Sequence, residues 1–133
     1  MADNSFMVRI ITPERIFFEG QAEMIEFNTV EGEIGVYKNH IPLTTVIAPG
    51  IVVITEGDEK RRAAVHAGFA EILGDKVTIL AEVAEWPEEI DLERAMAARD
   101  RAEKRLAEKD GNLDVARAEI ALRKSLVRIG IRS

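Results

Sequence analysis

The sequence contains no cysteine, two histidines, four prolines and one tryptophan among its 133 residues. Without cysteine it has no disulfides, thiolate metal sites or cysteine nucleophiles, and His40 and His66 cannot form a histidine-rich zinc site unaided. No apolar run approaches the roughly 20 residues of a membrane-spanning helix, and residues 1–5 lack the basic and apolar regions of a signal peptide. These absences predict a cytoplasmic chain that does not insert into a membrane.

The common enzyme signatures are also missing. The sequence has no G-x-x-x-x-G-K-[ST] phosphate loop, no G-x-G-x-x-G, no H-E-x-x-H and no G-x-S-x-G. Glu31 and Glu33 form a close acidic pair, but strand geometry predicts a solvated surface pair rather than a general acid and base. We therefore expect no catalytic residue, no metal site and no required cofactor.

The formal charge of −6 is divided unevenly along the chain. Residues 1–87 carry 14 acids and 7 bases, a net charge of −7, whereas residues 88–133 carry 10 acids and 11 bases, a net charge of +1. The acidic total disfavours nucleic acid as a partner. The Arg-rich second segment suits an acidic or phosphorylated surface.

The residue composition of the sequence also changes after residue 87. The first segment has short runs rich in Val, Ile, Phe and Thr, separated by Gly and Pro, at 6–12, 22–29, 44–48, 51–56, 62–67, 69–73 and 77–81. Runs spaced by about 8 to 12 residues, with turn residues between them, are typical of an antiparallel sandwich or barrel. An all-β domain over residues 1–87 is therefore predicted.

Residues 88–133 consist mainly of strong helix formers and predict an α-helical hairpin. One helix is expected over 91–109, with Asp91 as its N-cap, and a second over 113–129, with Gly111 at the turn between them. Two helices joined by so short a turn are antiparallel neighbours. The expected apolar faces comprise Leu92, Ala95, Met96, Ala102 and Leu106 on the first helix and Val115, Ala118, Leu122, Leu126 and Ile129 on the second. Because many of these side chains are small, we expect the hairpin to detach readily.

Basic residues form a row on each predicted helix. The rows are Arg94, Arg101 and Arg105 on the first helix and Arg117, Lys124 and Arg128 on the second. Guanidinium groups bind phosphate oxygens bidentately, so the two rows suit a polyphosphate clamp, with Asp91 accepting hydrogen bonds from a ribose or base. The alternatives are a solvated basic face and an Asp91 that only caps its helix.

The sequence resembles a known family, the epsilon subunits of bacterial F-type ATP synthases. The resemblance covers nearly the whole chain and rests on EGEIGVY (31–37), HIPL (40–43), HAGFAEI (66–72), VTILAEVAE (77–85) and IDLERA (90–95). The motifs stand in the family's order and spacing. Lys38 and Asn39 stand where many members have Pro-Gly.

The resemblance implies a flattened N-terminal β-sandwich of about ten strands followed by an antiparallel two-helix hairpin. It also implies a non-catalytic part of the central stalk, or rotor, at the cytoplasmic face of the membrane, which couples proton or sodium-ion flow to ATP synthesis. The sandwich is then expected to bind the gamma subunit and the c-subunit ring, with Glu33 and His40 toward the ring. A free-standing module that binds a small ligand such as a nucleotide is the alternative.

The resemblance further implies that the hairpin is regulatory. It is expected to inhibit ATP hydrolysis when extended into the alpha and beta subunits, and to bind ATP as a regulatory ligand when folded. The implied ATP-binding residues are Glu85, Ile90, Asp91, Arg94, Ala95, Arg101, Lys124 and Arg128, where Lys124 replaces an Arg of well-known ATP binders. The basic residues expected to meet an acidic stretch of the beta subunit are Arg117, Arg123, Lys124 and Arg128.

Overall fold

A computed structural model describes residues 4–108 and 114–132 of the chain. The elements are β1 (Phe6–Ile11), β2 (Ile16–Ala22), β3 (Met24–Thr29), β4 (Gly32–Val36), β5 (Leu43–Ile47), β6 (Gly50–Glu56), β7 (Glu59–Ile72), β8 (Lys76–Glu85), a 3-10 helix (Pro87–Glu89), α1 (Leu92–Glu108) and α2 (Val115–Arg132). The predicted class, a β-sandwich followed by two helices, is confirmed. The 3-10 helix lies across the predicted division after residue 87.

The described residues contain eight strands rather than about ten. The predicted runs 62–67 and 69–73 belong to one 14-residue strand, β7. No run was predicted at β2 or β4, because Glu19, Gly20 and Gln21 in β2 and the two glycines of β4 have weak strand propensity. Those strands form because each pairs antiparallel with a neighbour, β2 with β1 and β4 with β3.

The long strand β7 joins the two layers of the sandwich. Its first half pairs antiparallel with β6 and its second half with β5, while β8 pairs with residues 64–72 and so spans the change of partner. The change of partner occurs at Ala67 and Gly68, whose φ angles are 54° and 139°. A Cβ at Gly68 would collide with the backbone of Leu80, so only glycine fits this crossing. On the other side of β8, β1 pairs in parallel and carries β2.

Inward-facing side chains of both layers fill the core. Buried and half-exposed residues alternate along β1 and β3 and over residues 50–55 of β6, as expected for strands with one face in a core. The largest fully buried side chains of this core include Phe27, Ile10, Ile25, Ile54 and Ile72. The sandwich is thus a fixed platform for the helices.

The helices pack against each other, and α2 also packs on β6, β7 and the 3-10 helix. The buried hairpin residues are Ala95 and Ala102 of α1 and Ala118 and Ser125 of α2. The expected apolar faces were therefore partly wrong, since Met96, Val115 and Leu126 are 41–50% exposed. Because the buried side chains of the hairpin are small, the backbones of the helices can approach their neighbours closely.

The observed helix ends differ slightly from the predicted ones. Asp91 precedes α1 as its N-cap, and α2 continues to Arg132 instead of ending at residue 129. The predicted turn at Gly111 lies outside the described residues. In the described part of the chain, neither α1 nor α2 is long and apolar enough to cross a membrane.

Candidate functional site

A cleft of about 330 Å³ lies between the end of β8, the start of α1 and the last turns of α2. Its lining residues are Glu85, Glu89, Ile90, Asp91, Arg94, Ala95, Ala98, Arg101 and Arg128. Seven of the eight residues predicted from sequence for ATP are among them. The eighth, Lys124, does not line the cleft and lies one helical turn before Arg128 on α2.

Asp91 fixes the start of α1 at the mouth of the cleft. Its Oδ1 accepts a hydrogen bond from the backbone N–H of Arg94 at 3.1 Å, and its backbone carbonyl accepts one from Ala95 at 3.0 Å. The predicted N-cap role is therefore confirmed. This bond uses one carboxylate oxygen of an exposed side chain, so a ligand-binding role is compatible with the cap.

Glu89 holds the segment that enters the hairpin. Its Oε1 accepts a hydrogen bond from the backbone N–H of Trp86 and another from Nη2 of Arg15, both at 2.8 Å. The bond from Arg15, followed by that from Trp86, lowers the pKa of Glu89 below its ordinary value. The sequence prediction missed Glu89, although Pro87 and a glutamate three residues after Trp86 are a helix-start signal.

Trp86 fixes the other side of this segment. Its ring stacks on Phe17 with centroids 4.2 Å apart, and the guanidinium of Arg61 lies 4.2 Å from the Trp86 ring centroid. Stacking and cation–π contacts of this kind orient an aromatic ring firmly. The end of β8 is thereby anchored to β2 and β7, and the cleft has one rigid wall.

An ion pair joins the two walls of the cleft. The Nε of Arg128 on α2 donates to Oε1 of Glu85 at the end of β8, with a distance of 2.6 Å. Both side chains are about one quarter exposed, at 27% and 24%. A partly shielded pair attracts more strongly than an exposed one, so it contributes to holding α2 on the sandwich.

His66 lies beneath this ion pair. Its side chain is fully buried, and its Nε2 is 3.8 Å from Oε1 of Glu85, which is too long for a hydrogen bond. Burial, then the charges of Arg128 and Lys124, lower the pKa of His66 to about 3. The ring is therefore neutral at pH 7 and does not form an ion pair with Glu85.

Two other cations line the cleft without a carboxylate partner. Arg94 and Arg101 are exposed on α1, and neither guanidinium is in an ion pair with a carboxylate within residues 4–108 and 114–132. With Arg128 they give the cleft three guanidinium groups suited to an anion such as a phosphate. The described residues contain no cluster of His, Asp and Glu that could hold a metal ion.

The remaining predicted residues lie elsewhere. Glu33 is exposed within β4 rather than in a loop, and His40 lies in the β4–β5 connection, with Nδ1 2.6 Å from the carbonyl oxygen of Ile41. On α2, Arg117 and Arg123 are exposed, whereas Lys124 and Arg128 are half-buried. The predicted α2 row is thus divided between solvent and sandwich in this conformation.

A row of exposed apolar side chains crosses five adjacent strands of the sandwich. The strand register places Val46 beside Phe69, Phe69 beside Leu80, Leu80 beside Ile11 and Ile11 beside Ile16. Val46, Phe69, Leu80 and Ile16 are 43–56% exposed. We call these five residues, of which Ile11 is half-buried, the apolar row; contiguous exposed apolar surface is a feature of protein or membrane contact sites.

Two family models match almost the whole chain. The β-sandwich domain of the ATP synthase delta/epsilon chain matches residues 5–87, and the long α-helix domain of the same chain matches residues 88–131. The match extends over both the sandwich and the cleft.

Comparisons with individual proteins agree with the two family models. The chain is 56% identical over 108 residues to the ATP synthase epsilon chain of Brevibacillus brevis, covering 80% of this chain and 82% of that one. It is 45% identical over 132 residues to the epsilon chain of Caldanaerobacter subterraneus, covering 98% and 96%. Among solved structures, it resembles a chain of the Euglena gracilis mitochondrial ATP synthase with a TM-score of 0.82 and 26% identity, covering 95% of this chain and 80% of that one. These similarities favour a stalk subunit over a free-standing ligand-binding module.

Proposed function

The chain belongs to the epsilon-subunit family of the F-type ATP synthases, and we propose that its hairpin is an ATP-sensitive regulator of that machine. The observation that carries the proposal is the cleft in which Arg94, Arg101 and Arg128 converge on one space between sandwich and hairpin. Within the assembly the chain acts without catalysing a reaction itself, at the cytoplasmic face of the membrane.

ATP bound in this cleft would contact three elements at once, the end of β8, α1 and α2. Arg94 and Arg101 extend from α1 and Arg128 from α2, while Glu85 and Asp91 offer carboxylate oxygens to the hydroxyl or amino groups of a nucleoside. Lys124 lies one turn before Arg128 on α2 and is a further cation on that helix. Because Arg128 reaches the cleft from α2, ATP bound there stabilises the docked hairpin by RT ln(1 + [ATP]/Kd).

The released hairpin is the inhibitory form in this proposal. Release of α2 frees Lys124 and Arg128, which together with the already exposed Arg117 and Arg123 can meet an acidic stretch of the beta subunit. An extended hairpin among the alpha and beta subunits blocks rotation and therefore ATP hydrolysis. High ATP keeps the hairpin docked and the rotor free, while low ATP favours inhibition.

Calorimetric titration of ATP into the chain tests the cleft. Replacing Arg94 by Ala removes charge-assisted hydrogen bonds worth about 1.5–3 kcal/mol, so the Kd for ATP should rise roughly 10- to 100-fold. Arg105→Ala is the matched control, because Arg105 is an exposed arginine of α1 that does not line the cleft. Equal affinities for wild type and Arg94→Ala would contradict the assignment.

The apolar row supplies a docking face for the stalk. We assign it to the gamma subunit, since it is a contiguous row of apolar side chains, four of them 43–56% exposed, on the sandwich sheet. Glu33 and His40 lie toward the c-subunit ring in this arrangement, near the exposed side chains Val30 and Ile41. The two contacts attach the sandwich to the rotor and leave the hairpin able to move.

A further inference from the structure

His66 is the fully buried titratable residue on the face of β7 that α2 covers. Ala63 and Val65 point into the sandwich core, whereas Ala64 and His66 do not belong to that core although both are fully buried. Alternation along a strand places Ala64 and His66 on the opposite face, where α2 packs. The burial of His66 therefore depends on the docking of the hairpin.

The charges around His66 come from two elements. From β8, Glu85 brings Oε1 to 3.8 Å from Nε2 of His66, but that oxygen already accepts the 2.6 Å bond from Arg128. From α2, Arg128 and Lys124 act on the ring as positive charges. The β5–β6 segment 47–50, which lies opposite His66 across β7, has no titratable side chain.

A proton on His66 would be poorly accommodated while α2 is docked. The imidazolium would be a third cation beside Arg128 and Lys124, with one carboxylate among them. Neither ring nitrogen has a hydrogen-bond partner among the described residues, so no neighbour would stabilise the charge. Burial first, then the two cations, lower the pKa of His66 from 6.5 to about 3. Once α2 lifts, water reaches the ring and the pKa returns toward its ordinary value.

We propose that His66 makes the hairpin an acid-sensitive latch, in which proton uptake by His66 releases α2 from the sandwich. The docked form binds fewer protons than the released form, so docking is favoured at high pH and weakens as the pH falls below 6.5. The ratio of docked to released chains should fall about tenfold between pH 7.5 and 5.5. This latch does not require ATP, so its failure would leave the nucleotide proposal intact, and the reverse also holds.

The test measures that ratio directly in the full chain without nucleotide. Because the sequence has no cysteine, thiols introduced by Gln21→Cys on β2 and Glu119→Cys on α2 are the only attachment points for a fluorophore pair. Single-molecule energy transfer counts docked and released chains at pH 7.5 and 5.5, at a urea concentration where both are populated and the sandwich stays folded. The wild type should show the tenfold fall.

The two histidines of the chain provide the matched comparison. His66→Asn keeps a polar side chain without a titrating proton, so the docked ratio should become independent of pH in this range. His40→Asn, in the β4–β5 connection, should retain the fall. A wild-type ratio that does not change, or a His66→Asn variant with the same tenfold fall, would overturn the latch. If His66→Asn does not dock, NMR titration of the wild-type ring decides, because a pKa near 6.5 in the docked chain contradicts it.

Discussion

Asp91 combines a structural bond with a proposed ligand contact, and two substitutions separate them. Asp91→Ala removes both, whereas Asp91→Ser retains a side-chain oxygen able to cap α1. We expect Asp91→Ala to destabilise the start of α1 by about 1 kcal/mol and Asp91→Ser to preserve it. Both variants should bind ATP more weakly in calorimetry. Wild-type affinity in Asp91→Ser would restrict Asp91 to capping.

Glu85 is the carboxylate that connects the sandwich to α2. Glu85→Gln keeps the size and an acceptor oxygen but removes the charge that attracts Arg128. We expect docking to weaken by about 1–2 kcal/mol, a roughly 5- to 30-fold fall in the docked ratio without nucleotide. Glu19→Gln is the control, since Glu19 pairs with Arg9 at 2.7 Å on the sandwich, away from the hairpin. Docking unchanged in Glu85→Gln would show that the packing of α2 on β6, β7 and the 3-10 helix holds it without the ion pair.

At the scale of elements, β7 depends on one glycine. Gly68 has a φ of 139°, and the backbone of Leu80 occupies the space that a Cβ would need. Gly68→Ala should lower the free energy of unfolding of the sandwich by at least about 2 kcal/mol in urea denaturation. Gly74→Ala provides the comparison, because nothing lies within 4 Å of an added Cβ there, and its effect should be within about 0.5 kcal/mol. Similar losses in both variants would contradict the crossing argument.

The same strand shows where sequence patterns suffice and where they fail. Apolar runs on both sides of residue 68 were correctly predicted as extended, but the pattern divided them at Gly68, where one strand continues to a new partner. In the hairpin the two helices were predicted from composition, and the predicted apolar faces include three of the four buried residues described there, Ala95, Ala102 and Ala118. Periodicity also placed the exposed Met96 on the buried face and missed Ser125, because a small polar side chain at a close contact carries no hydrophobic signal.

Spacing alone suggested Asp91, Arg94, Arg101 and Arg128 for the cleft, whereas Glu85, Ile90 and Ala95 came only from the resemblance. Residues 85–101 bring one carboxylate from the strand end and two arginines from the first helix, and a family motif covers 90–95. The pairing of Arg128 with Glu85 and the burial of His66 depend on how α2 lies on β7, a contact between residues far apart in sequence. No periodicity in the chain specifies that placement.

At the scale of the whole molecule, the proposed docking face and ligand cleft involve different residues. We therefore expect that a substitution in one abolishes its function and leaves the other function intact. Phe69→Asp places a charge at the centre of the apolar row and should abolish assembly with the gamma subunit in copurification, while ATP binding by the isolated chain stays at the wild-type level. Met96→Asp is the control for this change, since Met96 is an exposed apolar residue of α1 outside the row. If Phe69→Asp assembled normally, the stalk contact would have to lie on another surface.

Arg94→Ala should assemble normally but leave the reconstituted ATP synthase more strongly inhibited at a given ATP concentration, because the docked hairpin loses its ligand. If Arg94→Ala left hydrolysis unchanged, nucleotide binding in the cleft would not control the hairpin.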